Sequence, residues 1–440
     1  MIRAVFLLGI VVVLIAAARS FLPEETSLVG SGAALAFGFV LLAALQSGTI
    51  FGGLRLPRLT GYLTCGFVVG PSVLNFVTER MVSDLKLVNG VAIGLIALAA
   101  GGELNFKRLR PRFRAILSVG SITLLCAALC ISTAVFFAAR YLPFMADMAL
   151  KERLVVSLTM GVVLSALSPT VTLALIAETG AAGPICETLL GIVVIGDLAI
   201  VFSFAGVNAL ANATFGAVGG GDVSAGGVAS ELTIHIFGSM IVGALLGVVL
   251  TLYLKKIGQR IALFVFGLCF LCAEAGTRLH LDPLLMCLTA GLFLENLTDI
   301  QGEKLVRDIE AASMPVFAVF FAVAGAGLHW AVFKKVAGVA VALAAVRAVA
   351  MIVGSKIGMV VGRVPPEHRR TIPYGTLSQS GIAIGLCVLL AKHFAGWGEG
   401  ASACLLGAVM INEMVGPVFF RAALMKSGEA GRREVVAGAH

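Results

Sequence analysis

Apolar runs of membrane-crossing length, divided by short polar stretches, follow one another along most of this chain. About 20 apolar residues of helix span the hydrocarbon of a bilayer. Candidate spans lie near residues 4–20, 28–53, 59–77, 85–104, 114–140, 153–178, 183–212, 230–254, 261–278, 283–297, 312–330, 335–362, 371–392 and 400–421. The pattern predicts an all-α polytopic membrane protein with about 13–14 transmembrane helices. The first run has a second reading, because Arg3, an apolar stretch and Ala16, Ala17 and Ala18 also fit a cleavable signal segment. Residues 1–27 are therefore set apart as an N-terminal helix or signal-like segment. Residues 28–425 form the predicted transmembrane domain, and 426–440 a short cytoplasmic tail.

Composition agrees with the pattern. The 440 residues are 59% hydrophobic and 13% charged, with a mean hydropathy of +1.03. A soluble domain carries about a quarter charged residues, so lipid must face much of this surface. The net charge of +8 does not indicate nucleic acid, because most Lys and Arg lie in short loops between apolar runs. The cluster Lys107, Arg108, Arg110, Arg112 and Arg114 marks a cytoplasmic loop, and alternation from it places most other basic loops on the same side. The nine cysteines lie almost entirely inside apolar runs and read as small buried hydrophobes, not as disulfides or a metal knuckle. Neither a P-loop nor GxGxxG occurs, which excludes an ATP-driven pump from this chain; no enzyme and no cofactor are expected. The expected setting is a bacterial inner or plasma membrane.

Charged side chains inside spans are costly and mark function. Asp197 follows Gly191-Ile-Val-Val-Ile-Gly in mid-span, where a carboxylate must be either neutral or paired. A site that binds a proton and a cation in turn needs such a group. Arg347 is central in its own span and requires a counter-charge or carbonyls; Asp197 is the natural candidate partner. Lys356, nine residues on, is a second basic candidate nearer the cytoplasmic end. Glu413 lies four residues before Pro417 in the last span.

Two spans carry helix-breaking chemistry. Ser165-Ala-Leu-Ser-Pro-Thr-Val-Thr places Pro169 among hydroxyls, and Leu377-Ser-Gln-Ser-Gly does the same with Ser378, Gln379, Ser380 and Gly381. Breaks at membrane depth leave backbone groups free and are tolerated where they line a site. A pair of them in two halves of a chain points to a transporter's binding site. Asp197 follows the first break, whereas Arg347 precedes the second, in mirrored order.

These residues resemble the monovalent cation:proton antiporter superfamily, in particular its Kef-like and bacterial sodium/proton branch, over about residues 28–425. The stretch Leu56 to Pro71 is similar to the LP-x-x-x-GY-x-x-x-G-x-x-x-GP signature, and Gly101 to Arg110 to the G-x-E-L-x-x-K-x-L-R loop. Ala290-Gly-Leu and Val316 to Gly325 resemble two further segments. The resemblance implies inverted repeats with two broken, crossing helices, a core near 114–212 and 335–421, and a homodimer. It implies unwound stretches at Thr170–Thr172 and Ser378–Gly381, with Asp197 as the ion-binding aspartate. The chain departs from the family at Gly196, where a second acid or amide often stands, and at Ser355, where sodium-transporting relatives often carry Lys. Arg347 resembles the arginine of electroneutral exchangers.

The resulting expectation is a secondary antiporter that exchanges Na+ or K+ for H+ by alternating access, electroneutrally. Asp197 binds the ions, Thr170, Thr172, Ser378 and Ser380 supply oxygens, Arg347 or Lys356 is the charge partner, and Glu413 and Gln379 are accessory candidates. The rival readings are a sodium-coupled organic-anion transporter of the same fold and a non-transporting sensor or channel-like subunit.

Overall fold

The computed structural model describes residues 7, 9–10, 31–215, 225–279, 281–298, 315–327, 330–379, 381–394 and 396–432, all of them in helices or short connections. The run 4–20 lies outside the described residues apart from Leu7, Gly9 and Ile10. The principal helices are α1 (Ser31–Gly53), α2 (Arg58–Val69), α3 (Glu79–Asp84), α4 (Lys86–Glu103), α5 (Phe113–Ala138), α6 (Leu150–Leu164), α7 (Pro169–Thr179), α8 (Pro184–Phe215), α9 (Ala225–Lys256), α10 (Ile261–Leu279) and α11 (Pro283–Leu297). They continue with α12 (Pro315–Ala326), α13 (Trp330–Val361), α14 (Gly381–His393) and α15 (Gly398–Ser427). Among the described residues, six helical segments are long and apolar enough to cross a membrane, and five shorter apolar helices accompany them. The protein is an integral, multi-pass membrane protein.

Three expected spans are not continuous helices. The span at 59–77 is the 12-residue α2, stopped by an extended Gly70 ahead of Pro71. The span at 153–178 divides into α6 and α7. The span at 371–392 divides into the single turn Ile372–Gly375 and α14.

The chain forms two compact units. The first comprises Met1–Asn105 and Ile236–Ala331; the second comprises Phe106–His235 and Val332–His440. In the first unit, small residues bring backbones together. A Cβ on Gly66 would run into the Ala322 carbonyl, one on Gly325 into that of Leu63, and one on Gly101 into that of Leu288. Gly66 and Gly70 therefore form a packing seam between α2 and α12, whereas Gly61 lies against Ser47 and Gly48 of α1. Gly66→Ala is expected to cost about 1–3 kcal/mol through overpacking, whereas Gly38→Ala, with open space at its Cβ, should cost almost nothing. Melting of the two detergent-extracted variants checks this; equal midpoints would refute the seam.

In the second unit, α13 lies close along α5, with Gly354 and Gly358 against the backbones of Thr123 and Val119. Ser355 is buried between them and links Thr123 to Thr376 through hydroxyl contacts of 3.2 Å each. The start of α8 is held from the far end of the chain. Pro184 occupies its first position, where a missing N–H costs nothing. The next two amides, of Ile185 and Cys186, donate to the Glu429 carboxylate at 2.8 and 3.0 Å. Gly183, at φ +152°, lets that carboxylate approach, since a Cβ there would meet the Glu429 side chain. Ala182 N–H donates to the Glu429 carbonyl, and Gly431 N–H to that of Thr179. Arg112 pairs with Glu187 in the same first turn of α8.

Candidate functional site

The site is built around the two breaks of the second unit. α6 ends at Leu164, and Ser165 caps it, its hydroxyl donating to the Gly161 carbonyl at 2.7 Å. Pro169 disfavours helical backbone in the residue before it, and Ser168 is extended, at φ −123° and ψ 101°. The Ser168 hydroxyl then accepts the Val171 amide as the N-cap of α7. The unwound stretch is thus Ser165–Ser168. The resemblance placed it at Thr170–Thr172, which instead form the first turn of α7. Proline at the first helical position explains the difference, because it opens a helix instead of interrupting one.

Thr170 and Thr172 are both buried. The Thr170 hydroxyl lies 3.1 Å from that of Ser168, and the Thr172 hydroxyl donates to the Ser168 carbonyl at 2.8 Å. At the second break Ser378 and Gln379 are completely buried. The Ser378 hydroxyl has no hydrogen-bond partner among the described residues. Ser380 lies outside the described residues.

Arg347 joins the two breaks. Its side chain is fully buried, and its donors meet backbone carbonyls from both: Nε to Leu164 at 2.7 Å, Nη1 to Leu377 at 2.6 Å, and Nη2 to Ala166 at 2.9 Å and Ser378 at 3.5 Å. Of the two kinds of partner expected for this guanidinium, the structure supplies the carbonyls. Broken helices leave carbonyls without amides, and a planar fork with five donors can collect several of them. Gln379 reinforces the junction, donating to the Leu164 carbonyl at 3.2 Å and accepting from Asn412 on α15 at 2.8 Å. Sequence reading did not single out Asn412; an amide beside Glu413 in an apolar run was its signal.

Asp197 is buried in the middle of α8. Its neighbour Gly196 faces the first break, where a Cβ would come within 2.8 Å of Leu167 Cδ1. The acid or amide often found in relatives would have to displace Leu167 from that place. Lys356 is not brought to the site. Nine residues from Arg347 amount to about two and a half helical turns, which places it on the opposite face of α13, where it is exposed.

Glu413 is buried on α15, and its Oε2 has no hydrogen-bond partner among the described residues. It directly follows Asn412 in the chain and lies one turn before Gly416, whose absent Cβ would stand 2.9 Å from Ser378 Cα. The second break therefore lies directly against this part of α15.

The family profile described as sodium/hydrogen exchanger, transmembrane, matches residues 37–426. The chain belongs to this family of monovalent cation:proton antiporters. No curated protein matches the sequence. Among solved structures, the sodium proton antiporter MjNhaP1 of Methanocaldococcus jannaschii at pH 8 aligns with a TM-score of 0.63 and 16% identity, covering 92% of this chain and 98% of that one. An electron-microscopy map of the same antiporter gives a TM-score of 0.64 at 15% identity, covering 91% and 96%. The exchanger has that antiporter fold, and cation/proton antiport is its activity.

Proposed function

We propose that this exchanger moves one monovalent cation, Na+ or K+, against one proton by alternating access, with Asp197 as the carboxylate for which the two compete. The observation that carries the reading is a buried mid-helix carboxylate whose neighbour Gly196 faces the first of two helix breaks that one arginine braces. Thr170, Thr172 and Ser378 stand near the breaks as hard oxygen donors of the kind that suit these cations. Gly196 supplies no second acid next to Asp197. One cation therefore replaces one proton, and the cycle moves no net charge. A homodimer belongs to the same reading through the family.

Proteoliposome flux under an imposed pH gradient, run with lithium, sodium, potassium and rubidium, tests the exchange and ranks the ions. Repeating it with potassium and valinomycin clamping the membrane potential tests the stoichiometry. The expected rates with and without the clamp agree within about twofold. A rate that follows the potential steeply would refute one-for-one exchange. Flux of an organic anion with sodium, or no flux at all, would favour the other readings of this fold.

A further inference from the structure

The charges buried in the second unit do not balance. Among the described residues, its buried charged side chains are Asp197, Arg347, Glu413 and Glu429, and Glu429 lies beyond the end of α15 on the α8 amides. Inside the spans that leaves one permanent cation against two carboxyl groups. A buried charge without compensation is costly, so Arg347 can offset one carboxylate and the other must carry a proton or a cation.

We propose that Glu413 is the second carboxyl of the exchange core, and that the proton released when a cation binds is shared between Glu413 and Asp197. The inference rests on the exchange reading of Asp197 and adds the residue that shares its proton. Four observations place Glu413 in this role. It is buried on α15 immediately after Asn412, which bonds Gln379 of the second break at 2.8 Å. One turn on, Gly416 lies against Ser378, whose carbonyl Arg347 contacts at 3.5 Å. Its Oε2 and the Ser378 hydroxyl are both buried without a hydrogen-bond partner among the described residues. Pro417, four residues on, has no N–H to offer the Glu413 backbone carbonyl. Nothing in these surroundings favours a carboxyl for packing, since an apolar side chain of similar shape could replace an unpartnered acid at little cost.

The other charged groups on α15 and the helices packed against it lie towards helix ends: Glu178 pairs with Arg421, and Lys151, Lys334 and His393 sit in first or last turns. Among the described residues, Asp197 and Arg347 are then the charges with which Glu413 shares the interior of the second unit. With no cation bound, the two acids and Arg347 hold one proton between them, and it belongs to the pair. A cation arriving at Asp197 neutralises that carboxylate. The second carboxyl then ionises against Arg347 and releases its proton, one proton for one cation, with charge balanced on both sides of the step.

The test counts protons released by purified protein in weakly buffered detergent as sodium is added, alongside the sodium-dependent shift in melting temperature. Wild type is expected to release one proton for each cation bound. In Glu413→Gln, Asp197 alone offsets Arg347, so no proton waits to leave and a bound cation adds net charge. Release should fall to a small fraction of the wild-type value, with apparent sodium affinity about tenfold weaker or more. Glu413→Met, apolar and of similar length, should behave in the same way and guards against misfolding of the Gln variant. Unchanged release and affinity in either folded variant would overturn the proposal. Wild-type sodium binding without proton release would instead overturn the reading of Asp197, and it would show before any substitution at Glu413.

Discussion

Arg347→Ala is expected to yield little extractable protein, and what is extracted should melt well below wild type. Three of its hydrogen bonds to carbonyls are 2.9 Å or shorter, and they tie the end of α6 to the second break. Each buried carbonyl left without a donor costs about 1–3 kcal/mol, so losing the guanidinium costs on the order of 5 kcal/mol, a large share of a typical protein's net stability. The loss should be greatest in cation-free buffer, where the core carboxyls also lose the charge that offsets them. Arg347→Lys should recover less than half of the melting temperature, because a point charge with three donors cannot reach carbonyls spread over two breaks. The check is a melting series with and without sodium. A variant that melts with wild type would show that water or another side chain satisfies these carbonyls.

Asp197→Asn should abolish cation-dependent proton movement without unfolding the protein. Asn matches the shape of Asp but carries no charge to hold a cation and no exchangeable acid proton. Wild type should gain thermal stability from the transported cation, about 2.7 kcal/mol at a hundredfold excess over the dissociation constant, and the variant should gain none. The measurement pairs vesicle flux with cation-dependent melting. Exchange above the rate of protein-free vesicles in the Asn variant would move the site elsewhere.

Side-chain chemistry told much of this architecture in advance, and backbone chemistry did not. The apolar runs reported the helices, and Pro169 with its hydroxyls reported a break. The break lies four to five residues earlier than the family resemblance put it, because proline at a first helical position belongs to the following helix. Lys356 could have been set aside from the sequence, since its spacing from Arg347 alone places it on the other face of α13. The partners of Arg347 could not have been named, because they are main-chain carbonyls that every residue type carries. The same holds for the cap on α8: 244 residues separate Glu429 from Ile185, and a glutamate after a final span looks like any solvated tail residue.

That cap has a consequence for how the protein is made. A ribosome adding roughly 5–20 residues per second finishes α8 some tens of seconds before it reaches Glu429. For that interval the helix carrying Asp197 exists with two amides at its start unclaimed. They are satisfied only when the last described turn emerges and folds back over them. The start of α8 is thus closed only after every described span has been made, and a chain that stops at Ser427 would own those spans yet lack the closure. Such a shortened product leaves an open helix start, a mark that sets it apart from a chain in which Glu429 is in place.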